Sequence, residues 1–172
     1  MPRSRPLKIF TDGATRFNGQ PNAKGGWGVV CPFDRDLDCY GYCTSGQQTN
    51  NRYELEAIKR AQKIIMDYEG RRRFQIHTDS QYAIGALCDW IEKWRENGWV
   101  TNKGKDVKNR ALIEYIDDTM DYLDSIGKRV ELVHVRGHQS NDFNNEADRL
   151  AKLGAEENNV HELDYDYDYY DF

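Results

Sequence analysis

No apolar run in this chain of 172 residues approaches the roughly 18 that a membrane-spanning helix requires. The lead-in Met1-Pro2-Arg3-Ser4-Arg5-Pro6 carries two arginines, but no apolar stretch of signal-peptide length follows them. No secretory signal is therefore expected, and the protein is expected to be intracellular. Cysteine is sparse: of Cys31, Cys39, Cys43 and Cys88 only Cys39 and Cys43 lie close together, and no second pair follows. A tetrahedral metal site wants paired spacings, usually twice over, so reduced and partly buried thiols are expected instead of zinc ligands. No internal repeat is present. Positive charge is missing altogether from residues 160–172, which hold Glu162, Asp164, Asp166, Asp168 and Asp171. Those five acids account for the whole net charge of −5 and leave residues 1–159 formally neutral. An acidic balance of this kind does not argue against a polyanionic partner, because affinity follows local patches.

What remains is 38% hydrophobic and 31% charged, the profile of one rather polar globular domain long enough to bury a core. Residues 1–6 read as a flexible lead-in, 7–158 as the folded domain and 159–172 as an acidic Asp/Tyr-rich tail, mobile rather than packed. Within the domain, strands are expected at about 7–12, 25–31 and 38–44, forming an antiparallel meander, then at 74–79 and 129–135. Leu55, Ile58, Ala61, Ile65 and Tyr68 recur at helical spacing behind Thr49-Asn50-Asn51. Ser80-Gln81-Tyr82 opens a second helix, a third runs through Leu112 to Leu123, and a fourth covers 145–157. The order predicts an α/β fold, a mixed sheet with helices on its faces.

The chain is organised around Lys8-Ile9-Phe10-Thr11-Asp12-Gly13-Ala14, an apolar run that ends on an aspartate and a turn-permitting glycine. The same device returns in Phe74-Gln75-Ile76-His77-Thr78-Asp79-Ser80. Two strands ending in Thr-Asp bring two carboxylates to the carboxyl ends of neighbouring strands, where ligands gather in open α/β sheets. Glu54 and Asp148 add two more in the expected first turns of helices, and His138 lies on the loop before Asp148. Each has an ordinary explanation: Asp12 begins a turn, Asp79-Ser80 caps a helix, and Glu54 complements a helix dipole. Jointly, an all-oxygen carboxylate set selects hard cations such as magnesium or manganese, and two such ions suit phosphodiester cleavage. Trp90, Trp94 and Trp99 beside lysines and arginines fit either core packing or a stacking surface. Arg71-Arg72-Arg73 reads as a solvated approach to a strand.

These motifs resemble type 1 ribonuclease H. The resemblance is carried by Phe10-Thr11-Asp12-Gly13-Ala14, by Thr49-Asn50-Asn51-Arg52-Tyr53-Glu54-Leu55 and by His77-Thr78-Asp79-Ser80-Gln81-Tyr82. Val135-Arg136-Gly137-His138 with Asn144-Asn145-Glu146-Ala147-Asp148-Arg149-Leu150-Ala151 completes it, in the family's order, across residues 7 to about 156. It implies a five-stranded ribonuclease H-like fold and a metal-dependent endonuclease that cleaves the RNA strand of RNA–DNA hybrids with little regard to sequence. It also implies that Asp12, Glu54, Asp79 and Asp148 hold two magnesium ions, for which manganese can substitute, while His138 assists proton transfer or product departure. By the same resemblance Asn18, Asn50, Asn51 and Gln81 contact the nucleic acid through its 2′-hydroxyl face. Thr49 and Asn109 match a phosphate pocket, and Tyr82 and Trp90 an aromatic channel. The family default is a monomer, without a membrane partner, in the cytoplasm, nucleus or another nucleic-acid-containing compartment.

Departures are visible. Gln47 stands where many eukaryotic members carry arginine, and 94–100 is less basic than strongly basic versions of that handle. Two further readings keep the fold: a catalytically weak hybrid binder, and a nuclease domain of a reverse-transcribing polyprotein. The acidic tail is expected either to compete for the basic surface or to contact a protein partner.

Overall fold

The computed structural model describes residues 4–136 and 142–167, with side chains up to Val160. Five strands form one mixed sheet in the order β3-β2-β1-β4-β5. β1 (Leu7–Arg16) is central. It pairs antiparallel with β2 (Lys24–Val30), which pairs antiparallel with β3 (Cys39–Gly41). On its other side β1 runs parallel to β4 (Arg72–Thr78), which runs parallel to β5 (Lys128–His134). The expected α/β architecture is therefore present, with two corrections at strand ends. β1 does not stop at Asp12; it continues to Arg16 because the hairpin with β2 stays in register as far as Arg16 opposite Lys24. β3 is shorter than 38–44: at its start the Asp38 Oδ1 accepts from the Cys31 amide at 2.7 Å, and past its end the Cys43 amide donates to the Tyr53 hydroxyl at 3.2 Å instead of to a strand.

Strand alternation sends Ile9 to one face and Phe10 to the other. On Ile9's side lie α1 (Asn50–Asp67) and α4 (Arg110–Ser125), which bury Leu55, Ile58, Ile65, Ile113, Ile116 and Leu123 against Val29, Phe74 and Ile76. On Phe10's side Val30, Ala147 and Leu150 form a smaller cluster beneath α5 (Asp142–Tyr167). α5 comes unusually near the sheet because β2 offers glycines: a Cβ on Gly28 would stand 2.4 Å from the Ala147 carbonyl oxygen, and one on Gly26 2.2 Å from the Ala155 nitrogen. Farther along, Asn158 Nδ2 donates to the Gly25 carbonyl at 2.9 Å and to Gln48 Oε1 at 3.0 Å. The helix then runs on to Tyr167 instead of ending at Glu157, as nothing after Asn158 breaks it: residues 160–167 contain neither glycine nor proline.

The single helix expected after Ser80 is three segments. α2 (Gln81–Ile84) leads into a π-helical turn (Gly85–Trp90) and then α3 (Ile91–Asn97), which closes on left-handed Gly98. All four cysteines are free, and among the described residues no helix is long and apolar enough to cross a membrane.

Lys128 is a buried lysine with a structural task. Its Nζ donates to the carbonyls of Met66 (2.7 Å) and Tyr68 (2.5 Å) at the C-terminal end of α1, where acceptors lack helical partners and the dipole favours a cation. Lys128→Met keeps the stem but strands those carbonyls. Urea unfolding should register a loss of about 1–3 kcal/mol; an unchanged midpoint would show that water replaces the ammonium without cost.

Candidate active site

Parallel pairing between β1 and β4 ends with Phe10 opposite His77. Beyond that point β1 outruns its partner, and Asp12 stands at the opening. Its side chain is buried, and Oδ1 accepts from the Gly13 amide at 2.9 Å. Asp79 follows the last residue of β4, held between two locked neighbours: the Ser80 amide donates to Thr78 Oγ1 at 3.1 Å, and Ser80 Oγ accepts from the Ala83 amide at 3.0 Å. The capping role expected of Asp79-Ser80 thus belongs to Ser80 alone, and the Asp79 carboxylate is left for the opening.

Glu54 arrives from α1. Thr49 is the N-cap, its hydroxyl accepting from the Arg52 amide, so Glu54 is beyond the first turn, which contains no acid. The dipole explanation for Glu54 is correspondingly weak. What brings it to Asp12 is Gly13: a Cβ there would lie 2.4 Å from both the Glu54 nitrogen and the Tyr53 carbonyl carbon, so only a glycine lets α1 sit on the β1 backbone.

The three carboxylates converge, each offering an oxygen within 4.8 Å of the others. Burial, with the Asp79 charge second, raises the Asp12 pKa to about 7. Burial, and then Asp12, raises that of Glu54 well above the ordinary carboxyl value. Glu54 Oε2 is buried and has no hydrogen-bond partner among the described residues. Carboxyls crowded until two of them cling to protons are groups that become fully ionised only beside a compensating positive charge. The donor set is all oxygen, which fits a hard divalent cation.

Asp148 stays outside this triangle. Its charge still raises the Asp12 pKa, but its Oδ2 accepts from Lys152 Nζ at 2.7 Å, one helical turn on. Because α5 begins at Asp142, earlier than expected, Asp148 is also past the first turn. The Lys152 partnership is legible in the sequence as an i,i+4 acid–base pair. His138 lies outside the described residues.

The expected nucleic-acid contacts fall into groups. Asn18 Oδ1 accepts from the Asn50 amide at 3.3 Å, which joins the β1–β2 turn to the start of α1, where Asn51 is exposed. Asn109 has a left-handed backbone just before α4, and its Nδ2 donates to the Tyr82 hydroxyl at 3.1 Å. Those two expected contacts are therefore coupled to each other. Gln81 is exposed at the start of α2, and Trp90 is exposed, its ring 5.7 Å from that of Trp94. Trp99 is buried, which removes it from any stacking surface.

Three comparisons bear on this geometry. The RNase H family model matches residues 4–156. A ribonuclease H of Nitrosomonas eutropha is 40% identical over 154 residues, which cover 87% of this chain and 90% of that protein. Among solved structures, LC9-RNase H1, described as a type 1 RNase H with the type 2 active-site motif, aligns with a TM-score of 0.69 and 25% identity. That match covers 90% of this chain and 75% of the other. A foamy viral protease–reverse transcriptase in complex with an RNA/DNA hybrid gives the same TM-score and identity, over 90% of this chain and 21% of the viral one.

Proposed function

Because the chain belongs to the RNase H family, we propose that this nuclease hydrolyses phosphodiester bonds in the RNA strand of RNA–DNA hybrids. The observation that carries the reading is the convergence of the Asp12, Glu54 and Asp79 carboxylates within 4.8 Å, with Glu54 Oε2 buried and without a hydrogen-bond partner among the described residues. A mere hybrid binder has no use for such a cluster, which destabilises the fold while the acids are ionised. The relative named ribonuclease H and the hybrid-bound viral neighbour support the substrate.

Asp12, Glu54 and Asp79 would hold divalent cations, with Asp148 joining them on release from Lys152. Two ions are proposed, magnesium by preference and manganese as a substitute. When bound, such cations supply the charge that activates an attacking water and offsets the charge of the departing oxygen. The chain's own contribution is position. Gly13 fixes the spacing of Asp12 and Glu54, and Ser80 fixes the backbone that presents Asp79. His138 would serve proton transfer or product departure. Asn18, Asn50, Asn51 and Gln81 would read the 2′-hydroxyl face, while Thr49 and Asn109 take a DNA-strand phosphate and Tyr82 and Trp90 its aromatic channel. Backbone recognition makes cleavage nearly independent of sequence and sensitive to salt. A monomer is the proposed working form.

The test is cleavage of a labelled RNA–DNA hybrid in magnesium beside RNA–RNA and DNA–DNA duplexes. RNA-strand cleavage confined to the hybrid, lost in EDTA, is expected. Equal cleavage of the all-RNA duplex, or none of the hybrid in either magnesium or manganese, would overturn the assignment.

A further inference from the structure

The side of α1 turned to solvent carries a second surface. Arg52, Glu56, Lys59 and Lys63 recur at i, i+4, i+7 and i+11, a single stripe, with Arg60 beside it. The stripe forms one wall of a groove of about 610 Å³ whose other walls include Trp27, Tyr42 and Tyr115. A second hollow of about 550 Å³ shares Arg52, Lys59 and Tyr115 with the first and reaches Asn109 and Arg110 at the start of α4. The groove therefore opens at Asn109 and leads away along α1.

Its cations are held in place. Lys59 Nζ sits 5.0 Å from the Tyr115 ring centroid, and Arg60 Cζ 4.7 Å from that of Trp27. Arg52 NH1 donates to the carbonyls of Ser45 (2.7 Å) and Gln47 (3.0 Å). Lys59 and Arg60 have no ion pair among the described residues, whereas Lys63 pairs with Asp67 at the surface and Arg52 Nε lies 3.6 Å from Glu56 Oε1. Side chains whose charged ends are already held over aromatic rings have lost much of their rotamer freedom, so less is lost when an anion binds. Tyr115 is 49% exposed, a large aromatic left at the surface.

We infer that this groove binds an unpaired continuation of the hybrid's DNA strand, beyond the phosphate assigned to Thr49 and Asn109; the inference rests on the proposed hybrid specificity. Fixed positive charges follow the phosphates of a single strand, and the half-exposed Tyr115 ring offers its bases a stacking face, whereas Trp27 is buried and serves only to seat Arg60. A duplex hides its base faces and gains only from the charges. From Arg52 to Lys63 the helix rises by about 16 Å, the span of roughly five stacked phosphates. The enzyme would then prefer hybrids flanked by single-stranded DNA, as at a gap or a displaced strand. Because the groove runs from Asn109 along α1, it extends the DNA strand in one direction from that phosphate, and one overhang polarity is expected to follow it.

Binding is measured by fluorescence anisotropy in calcium, with cleavage followed separately in magnesium. The substrates are one blunt hybrid and two of the same hybrid with an eight-nucleotide DNA-strand extension at either the 3′ or the 5′ end. The full chain should bind one of the extended hybrids about tenfold more tightly than the blunt one at low salt. Lys59→Ala with Lys63→Ala should abolish that gain and leave blunt-hybrid cleavage unchanged, while Lys59→Arg keeps both. Loss of two phosphate contacts should also flatten the log–log salt dependence by about 1.4. No gain at either polarity, equal gains at both, or a gain that survives the double substitution overturns the inference without touching the blunt-hybrid reading. A gain that appears only after Asp164, Asp166 and Asp168 are changed to Asn overturns it too, by making the acidic tail the groove's occupant. Failure of the proposed function shows separately, as absence of blunt-hybrid cleavage.

Discussion

Asp12→Asn will reduce hybrid cleavage by about a thousandfold, the scale on which a single preorganised polar group acts at a reacting centre, and will stabilise the metal-free chain at pH 8. The substitution keeps the shape and hydrogen-bonding reach of the side chain while deleting its charge. Removing that charge helps the fold because the Asp12 pKa, ordinarily 3.8, is raised to about 7 by burial and by Asp79. A raised folded-state pKa means that the native chain holds a proton which the unfolded chain has released. The associated stability is complete below the ordinary value and is lost as pH climbs from about 4 through about 7, on the order of a few kcal/mol. Glu54 shifts in the same direction and deepens the loss. Thermal melts in EDTA at pH 5 and pH 8 should show the parent chain weakening with pH and the Asn variant weakening much less. Magnesium should restore the parent at pH 8 and have little effect on the variant. Parallel pH profiles would deny the electrostatic crowding, and full magnesium-dependent cleavage by the variant would remove Asp12 from the reaction.

Gly13→Ala should damage both stability and catalysis through a single methyl group. The new Cβ would meet the Glu54 nitrogen and the Tyr53 carbonyl carbon at 2.4 Å each, and both are backbone atoms that no rotamer change can move aside. Either β1 bends or the start of α1 lifts, and both separate Asp12 from Glu54. Overpacking of this kind costs about 1–3 kcal/mol, readable as a lower urea midpoint. A displacement near 1 Å at reacting groups costs about a hundredfold in rate. Steady-state cleavage should show the fall in kcat. Activity near that of the parent would mean that α1 can slide without carrying Glu54 away.

Part of this centre is legible because Asp12 and Asp79 each close an apolar run in the sequence, where patterns speak most plainly. The structure brings these two together with Glu54, while Asp148 stays outside the group. The boundaries themselves were less readable. β1 continues past Asp12 because its antiparallel partner persists after its parallel partner stops, a fact of pairing that a single strand's composition does not hold. Glu54 and Asp148 seemed to lie in first turns because helix starts were judged from apolar spacing, whereas Thr49 caps α1 and α5 begins at Asp142. The π-helical turn at Gly85–Trp90 left no periodic trace at all. Gly85 marks it only in retrospect, by leaving room for the Trp90 ring, 2.6 Å from where a Cβ would stand. The coupling of Asn109 to Tyr82 joins residues far apart in the chain, which no local pattern reports.

The central position of β1 also sets a problem of timing during synthesis. One edge of β1 is closed almost at once by the hairpin to β2, but the other waits for β4, whose residues 72–78 emerge only after the whole of α1. At about 5–20 residues per second, the interval between the end of β1 and the end of β4 lasts roughly 3–12 seconds. Throughout that time Leu7, Ile9 and Phe10 belong to a nascent strand with an open row of amides and carbonyls, a template for pairing with neighbouring chains. Lys8 is the one charged residue between Leu7 and Phe10, so on the ribosome it acts as the gatekeeper of that edge.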